Sequence, residues 1–297
     1  MVWCFRKVDP LLFLEQITRA HLVFIALALL VIFSILWLNT IQWKWLLSEK
    51  HLLSFRKLFE VVAVCTSVAN LIPWGHTFSI YYLGKNKEVG KTMALSVFTM
   101  DQLLGGIAKL PIFLLVSLFT PLPHWLQTSI QVFVISVLVF GLVLFFLSHF
   151  FRNLESNSHF ISKWAHYLHP LRDWKRASVG LLMMFGIKFC EIVAIYLVQI
   201  SFNIHLPLWA PLLLVTTTNL ATTLPITPGN LGIYHAASIF TYQWLGLNTT
   251  EATVLALFHH LVYVIPLIIP GYFYSIRLGL RWKTLTPAGV QTGTRGV

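Results

Sequence analysis

The sequence predicts an all-α integral membrane protein with about six to eight membrane segments, built as two half-repeats. Three observations carry that prediction. Of 297 residues, 57% are hydrophobic and only 10% are charged, against roughly 25% charged in an average soluble domain. Several windows are almost wholly apolar: residues 22–38 hold a single polar side chain, Ser34, and no charge occurs over 120–151 or 252–276. Each can cover a hydrocarbon core about 30 Å thick, which takes roughly 20 helical residues, where a soluble helix would show an amphipathic stripe. Finally, Lys and Arg gather in short connections such as 50–57, 85–91, 152–176 and 277–283, whereas 120–127 and 203–208 carry none. That is the positive-inside asymmetry of a plasma-membrane protein.

The elements follow in order. Arg6, Lys7 and Arg19 precede the first apolar run, which is too long for a signal core and lacks a small-residue cleavage site. It reads as a retained span at 21–45. An interrupted segment at 58–83 comes next, then spans at 92–119 and 126–150. The polar connection 152–177 contains Asn153, Asn157, Pro170 and five basic residues, and is expected in the cytoplasm with the C-terminus. The second half supplies a span at 178–202, an interrupted segment at 208–246 and a last span at 252–277. Residues 1–283 thus read as one polytopic domain in the cell inner membrane, with halves at about 20–150 and 178–280. The Gly/Thr-rich tail 284–297 is expected to be disordered.

The interrupted segments are the most informative. Two stretches, 209–224 and 233–246, flank Pro225-Ile226-Thr227-Pro228-Gly229-Asn230-Leu231-Gly232. Each is shorter than the roughly 20 residues a crossing needs, and two prolines and two glycines forbid one continuous helix. A hairpin returning to its side of origin fits. The first half repeats the order of landmarks more faintly: Asn70-Leu71, Pro73-Trp74-Gly75, Leu83-Gly84 and Pro111 parallel Asn219-Leu220, Pro225, Gly229, Leu245-Gly246 and Pro266. Broken helices at corresponding places in two halves point to a transporter whose site lies between repeats. If 58–83 is also re-entrant, the N-terminus lies outside; if it is a kinked full span, the N-terminus lies inside.

Composition excludes several functions. Cys4, Cys65 and Cys190 are odd in number and scattered, which supports neither a disulfide framework nor a zinc site. No metal or other cofactor is implied. The net charge of +11 sits in loops, so nucleic acid is not a partner; anionic lipid headgroups are the partner it suits.

Polar residues inside the spans are the candidate site. Thr216, Asn219 and Thr223 share a helical face by their spacing, and with Thr227 they crowd the Pro-Gly break. They read either as hydroxyls bonding back to their own helix or as a pocket for a phosphate or sugar headgroup. Gly229 and Gly232 bracket a turn whose N–H groups, with those opening the next helix, suit an anion, and His235 in that first turn would add positive charge. Asp101 lies inside an apolar helix, where an acid costs roughly 2.5–3.5 kcal/mol, so function is the default reading and a structural pair with Lys109 or a neighbouring helix the alternative. Lys188 and Glu191, three apart, form either a structural ion pair or a coupling site. Glu251 reads as part of a helix cap. His259 and His260 are neighbours in the last span, where at most one comfortably faces a shared cavity. They are either buried neutral rings or titrating groups.

The stretch 224–235 resembles the signature of the lysylphosphatidylglycerol synthase transmembrane-region family, the flippase-like multi-pass proteins. That family typically reads P-x-[ST]-P-G-G-L-G followed by an acidic residue. The resemblance covers about 20–280, and its specific motif is 225–232. It also aligns Gly75-His76 with the family's Gly-acidic turn and Asp101-Gln102 with its Asp-Arg pair. Here His76 and His235 stand where acids are usual, Gln102 where Arg is usual and Asn230 where Gly is usual. The resemblance implies headgroup binding at Gly75, His76, Asn230 and the other break residues, and transport of a phospholipid or lipid-linked headgroup between leaflets. The alternative is an intramembrane enzyme or accessory subunit in lipid-linked sugar or aminoacyl-lipid metabolism. Membrane lipids, anionic ones foremost, are the expected partners, with a homo-oligomer or a membrane enzyme as further expectations.

Overall fold

A computed structural model describes residues 18–47, 53–72, 75–85, 89–150, 173–223 and 227–278, with single positions near 11–16 and 160–171. The expected disordered tail 284–297 lies outside the described residues, as do the details of Pro73-Trp74 and 224–226. Nine helices have their bounds within the described residues, and no strand occurs among them. They are α1 (Leu22–Leu47), α2 (Phe55–Leu71), α3 (Gly75–Gly84), α4 (Gly90–Phe119), α5 (His124–Phe150), α6 (Trp174–Ser201), α7 (Ala210–Ala221), α8 (Ile233–Trp244) and α9 (Thr249–Arg277).

Five of these, α1, α4, α5, α6 and α9, are long and apolar enough to cross a membrane. The other four form two hairpins. In the second, α7 and α8 have 12 residues each, about 18 Å at 1.5 Å per residue, and neither can span. They pack together, with Thr217 Oγ1 2.7 Å from Thr241 Oγ1. They run antiparallel, because the end of α7 reaches the middle of α6 at Lys188 and the start of α8 reaches the middle of α9 at His260. The first hairpin does the same. Phe78 and Tyr82 of α3 pack back onto Val64 and Val68 of α2, so the chain returns to the face it left. The topology left open for the first half is therefore re-entrant, and α1 and α6 cross in opposite directions.

Side-chain contacts fix which ends share a face. The His21 N–H donates to the Ser201 carbonyl at 2.8 Å, placing the start of α1 beside the end of α6. At the opposite face Arg277, ending α9, lies 3.9 Å from Glu60 near the start of α2, and Trp37 of α1 stacks on Phe55. Face 1 carries the start of α1 and the α4–α5, α6–α7 and α8–α9 connections. Face 2 carries the ends of α1, α3, α5 and α9 and the starts of α2, α4 and α6.

The packing repeats when α1, α2, α3 and α4 are exchanged for α6, α7, α8 and α9. The α2–α9 contact has its counterpart in α4–α7, α3–α4 in α8–α9, and α1–α9 in α4–α6. The α1–α6 pair, the most extensive, is its own counterpart. Among the nine helices α5 alone has no equivalent, and it is the least enclosed of the five long ones.

In lipid, helices gain little from hydrophobic burial against one another and associate through close packing instead. Small residues accordingly fill the crossings. Ala28, Ala63, Ala108, Ala252 and Ala256 are almost wholly buried. Gly271 of α9 crosses α2 so closely that a Cβ would run into Ser67 and the Ala63 carbonyl. The α9 start is set by the expected cap: the Asn248 side chain accepts from the Glu251 N–H at 2.9 Å, and Glu251 accepts from the Asn248 N–H at 3.3 Å.

Candidate functional site

Four half-helices end at mid-depth, where a helix terminus has no intrahelical partners for its last carbonyls or first N–H groups. Local bonds take up some of these, the Gly75 N–H donating to the Ile72 carbonyl and the Thr223 N–H to that of Leu220. The second break is a short 3-10 turn, Pro228–Asn230, with Gly229 at φ 61° and Asn230 at φ 53°. Gly232, at φ 92°, starts α8 without a side-chain cap. The tips of the two hairpins touch: a Cβ on Gly229 would sit 3.2 Å from the Asn70 carbonyl at the end of α2. The Gly229 carbonyl accepts from Nε2 of His260 at 3.1 Å, which ties the turn to the middle of α9.

Beside this junction lies a polar chamber of about 330 Å³, walled by all the helices except α5 and by the turn. Asp101, Lys109, Lys188 and Glu191 line it, as do Asn39, Asn70, Asn219, Asn230, Tyr234 and Tyr263. Asp101 accepts from Trp43 Nε1 of α1 at 3.1 Å and from Gln102 Nε2 at 3.3 Å. It does not pair with Lys109, whose ammonium lies 5.6 Å from the Phe133 ring of α5. Lys188 donates to both Glu191 oxygens at 2.7 and 2.8 Å and reaches toward Asn219 Oδ1 at 3.4 Å. The pair is nearly buried and self-neutralising, as the three-residue spacing suggested.

The chamber opens into a wider groove of about 1340 Å³ between α4, α5, α7 and α8, and the two share Asp101, Lys109, Asn219 and Tyr263. Its outer wall is the exposed helix α5, with Val132, Phe133 and Phe140. Its inner wall includes Gly105, Gly106 and Ala236. Toward face 1 the ring of Trp125 meets Phe240 edge-on at 5.7 Å. The groove is therefore mainly apolar along α5, where the hydroxyls of Thr128, Ser129 and Ser136 bond back to their own helix, and polar at its inner end.

Of the residues singled out in sequence, the structure brings Asp101, Lys188, Glu191, Asn219, Gly229, Asn230, His259 and His260 to the chamber wall. Gln102 and Thr223 lie on the groove. Both histidines of α9 reach the wall, although only one was expected to. His259 is locked behind it by the Ile195 carbonyl at 3.1 Å and the Tyr242 hydroxyl, while the His260 ring stacks on Tyr234.

Others sit elsewhere. Thr216 is fully buried in the packing and its hydroxyl donates to the Leu212 carbonyl at 2.9 Å. Its expected shared face with Thr223 is broken because α7 ends at Ala221. His235 lies behind the wall against the His260 ring, with centroids 4.7 Å apart, and neither ring nitrogen has a hydrogen-bond partner. One residue of helical rotation, about 100°, puts Tyr234 in the chamber in its place. Thr227 has a buried, unpartnered hydroxyl beside the turn. Gly75 packs against the Val68 carbonyl, off the chamber, and the His76 side chain lies outside the described residues. Trp43 and Asn39 escaped sequence reasoning. Their signal was the cluster of polar residues Asn39, Thr40 and Gln42 late in an otherwise apolar span.

A family model described as the lysylphosphatidylglycerol synthase TM region matches residues 1–271. No curated protein and no solved structure matches the chain.

Proposed function

Because the chain belongs to the lysylphosphatidylglycerol synthase TM region family, we propose that it moves a phospholipid, or a lipid-linked headgroup, between the two leaflets. The observation that carries this reading is the polar chamber at mid-depth continuous with an apolar groove along α5. A phospholipid has the same division. Its headgroup needs hydrogen-bonding partners in a region where unsatisfied polar groups cost several kcal/mol. Its acyl chains need none and can remain in the groove and the surrounding bilayer. The paired half-helices supply irregular backbone sheltered by protein, the arrangement that transporters built on inverted repeats use at their sites.

Orientation follows from charge. Face 2 carries Arg56, Lys57, Lys85, Lys91, Lys175, Arg176 and Arg277. The face 1 connections 120–123, 202–209 and 245–248 carry no Lys or Arg, and Arg19, just before α1, is ion-paired with Glu15 at 2.6 Å. By the positive-inside rule, face 2 with the connection 152–177 and the C-terminus is cytoplasmic, and α1 begins outside, in the cell inner membrane.

The test is reconstitution of the full chain into liposomes holding acyl-labelled phospholipids, reading inter-leaflet transfer and, in the same vesicles, lipid composition. Transfer with unchanged lipid supports the transporter. A new lipid product would favour the intramembrane enzyme acting on lipid-linked sugars or aminoacyl lipids.

A further inference from the structure

We infer that the headgroup this chamber takes is a zwitterion, a phosphodiester ending in a single ammonium and carrying no net charge. The inference rests on the transporter reading and on the charges that line the chamber. There are four, Asp101, Lys109, Lys188 and Glu191. Lys188 and Glu191 cancel each other at 2.7 Å. Asp101 accepts from the neutral donors Trp43 and Gln102. Lys109 lies over the Phe133 ring and, among the described residues, makes no ion pair. One carboxylate and one ammonium therefore face the chamber outside any ion pair among the described residues.

Their placement matches the order of atoms in such a lipid. The two residues lie eight positions apart on α4, about 12 Å along the helix axis, and they look toward different walls. Lys109 stands beside Phe133 of α5, at the mouth of the groove. Asp101 lines both spaces, as Lys109 does, but accepts from Trp43 of α1, which lines the chamber and not the groove. A phospholipid with its chains in the groove beside Phe133 brings its phosphate to Lys109, and its terminal amine reaches along α4 toward Trp43, where Asp101 is. Charges in a site shielded from water interact far more strongly than in water, so each end would select its partner. An anionic phosphoglycerol headgroup supplies the phosphate but leaves Asp101 unmatched. A headgroup with two ammoniums places surplus positive charge beside Lys109 and Lys188. Gln102 matters here: an arginine at that position would supply Asp101 with its own counter-charge.

The experiment uses the full chain in liposomes of neutral lipid with trace acyl-labelled lipids of four headgroups: phosphoethanolamine, its N-acetyl form, phosphoglycerol and lysine-esterified phosphoglycerol. The expected result is transfer of the phosphoethanolamine lipid about tenfold faster than the other three, the factor that about 1.4 kcal/mol of differential binding gives. Asp101→Asn should bring phosphoethanolamine transfer down to that of its N-acetyl form, and Asp101→Glu should retain the preference. Lys109→Gln should slow all four phosphate-bearing lipids. Equal transfer of all four by the unaltered chain overturns the zwitterion assignment and leaves the transporter reading standing, as does a preference for either phosphoglycerol lipid. Transfer of none of them overturns both.

Discussion

His260 Nε2 donates to the Gly229 carbonyl at 3.1 Å, so the tip of the second hairpin hangs from the middle of the last span. The same turn abuts the Asn70 carbonyl of the first hairpin. Both hairpins and α9 thus meet at one junction on the chamber wall. His260→Phe keeps a ring to stack on Tyr234 but leaves the Gly229 carbonyl without its donor. The expected loss is about 1–3 kcal/mol, the cost of an unsatisfied buried group. Thermal unfolding in detergent checks it, and an unchanged midpoint would show that the bond does not hold the junction.

The turn conformation makes an opposed pair of predictions. Gly229 and Asn230 both occupy the left-handed region. A β-branched residue at Gly229 meets that backbone and the Asn70 carbonyl together, at a strain of about 1–3 kcal/mol. Gly229→Val should lower the unfolding midpoint by several degrees, while Asn230→Gly should hold or raise it. Equal loss in both variants would count against the turn geometry.

Lys188 and Glu191 should behave as a unit. Removing one partner leaves the other charge buried alone, a cost of about 3–5 kcal/mol. Lys188→Met and Glu191→Leu should each destabilise strongly, and the double variant should be more stable than either. Three additive losses would mean that the two side chains are not coupled.

The topology predicts which sites label together. Cysteines replacing Leu206 and Asn248 should react from one side of the membrane, and cysteines replacing Ser54 and Lys85 from the other. Labelling of Ser54→Cys and Lys85→Cys from opposite sides would make α2 and α3 a kinked span and remove the inverted relation between the halves.

How legible all this was in sequence differs by residue. The second break could be read because two prolines and two glycines fall within eight residues, and local backbone chemistry decides such a stretch. The first hairpin could not: α2 has 17 residues, long enough to imitate most of a crossing, and only its packing against α3 and α9 shows that the chain turns back. Asp101 and the Lys188–Glu191 pair were visible because charge is scarce in an apolar helix. The facing of Thr216 and His235 was not visible, since it depends on where α7 stops and on a single step of rotation along α8. Trp43 was hidden for another reason: a tryptophan in an apolar span reads as packing until a carboxylate on another helix is placed beside its indole nitrogen.

The central claim is that lipid crosses through the groove into the chamber, and filling the groove tests it most directly. Ala236 is exposed on the groove wall and can take a larger side chain without disturbing the packed crossings. Inter-leaflet transfer should be measured in liposomes for the unaltered chain and for Ala236→Phe, with unfolding midpoints recorded for both. The account predicts at least about a tenfold fall in transfer, equivalent to about 1.4 kcal/mol, at an unchanged midpoint. Full transfer by a folded Ala236→Phe protein would contradict it.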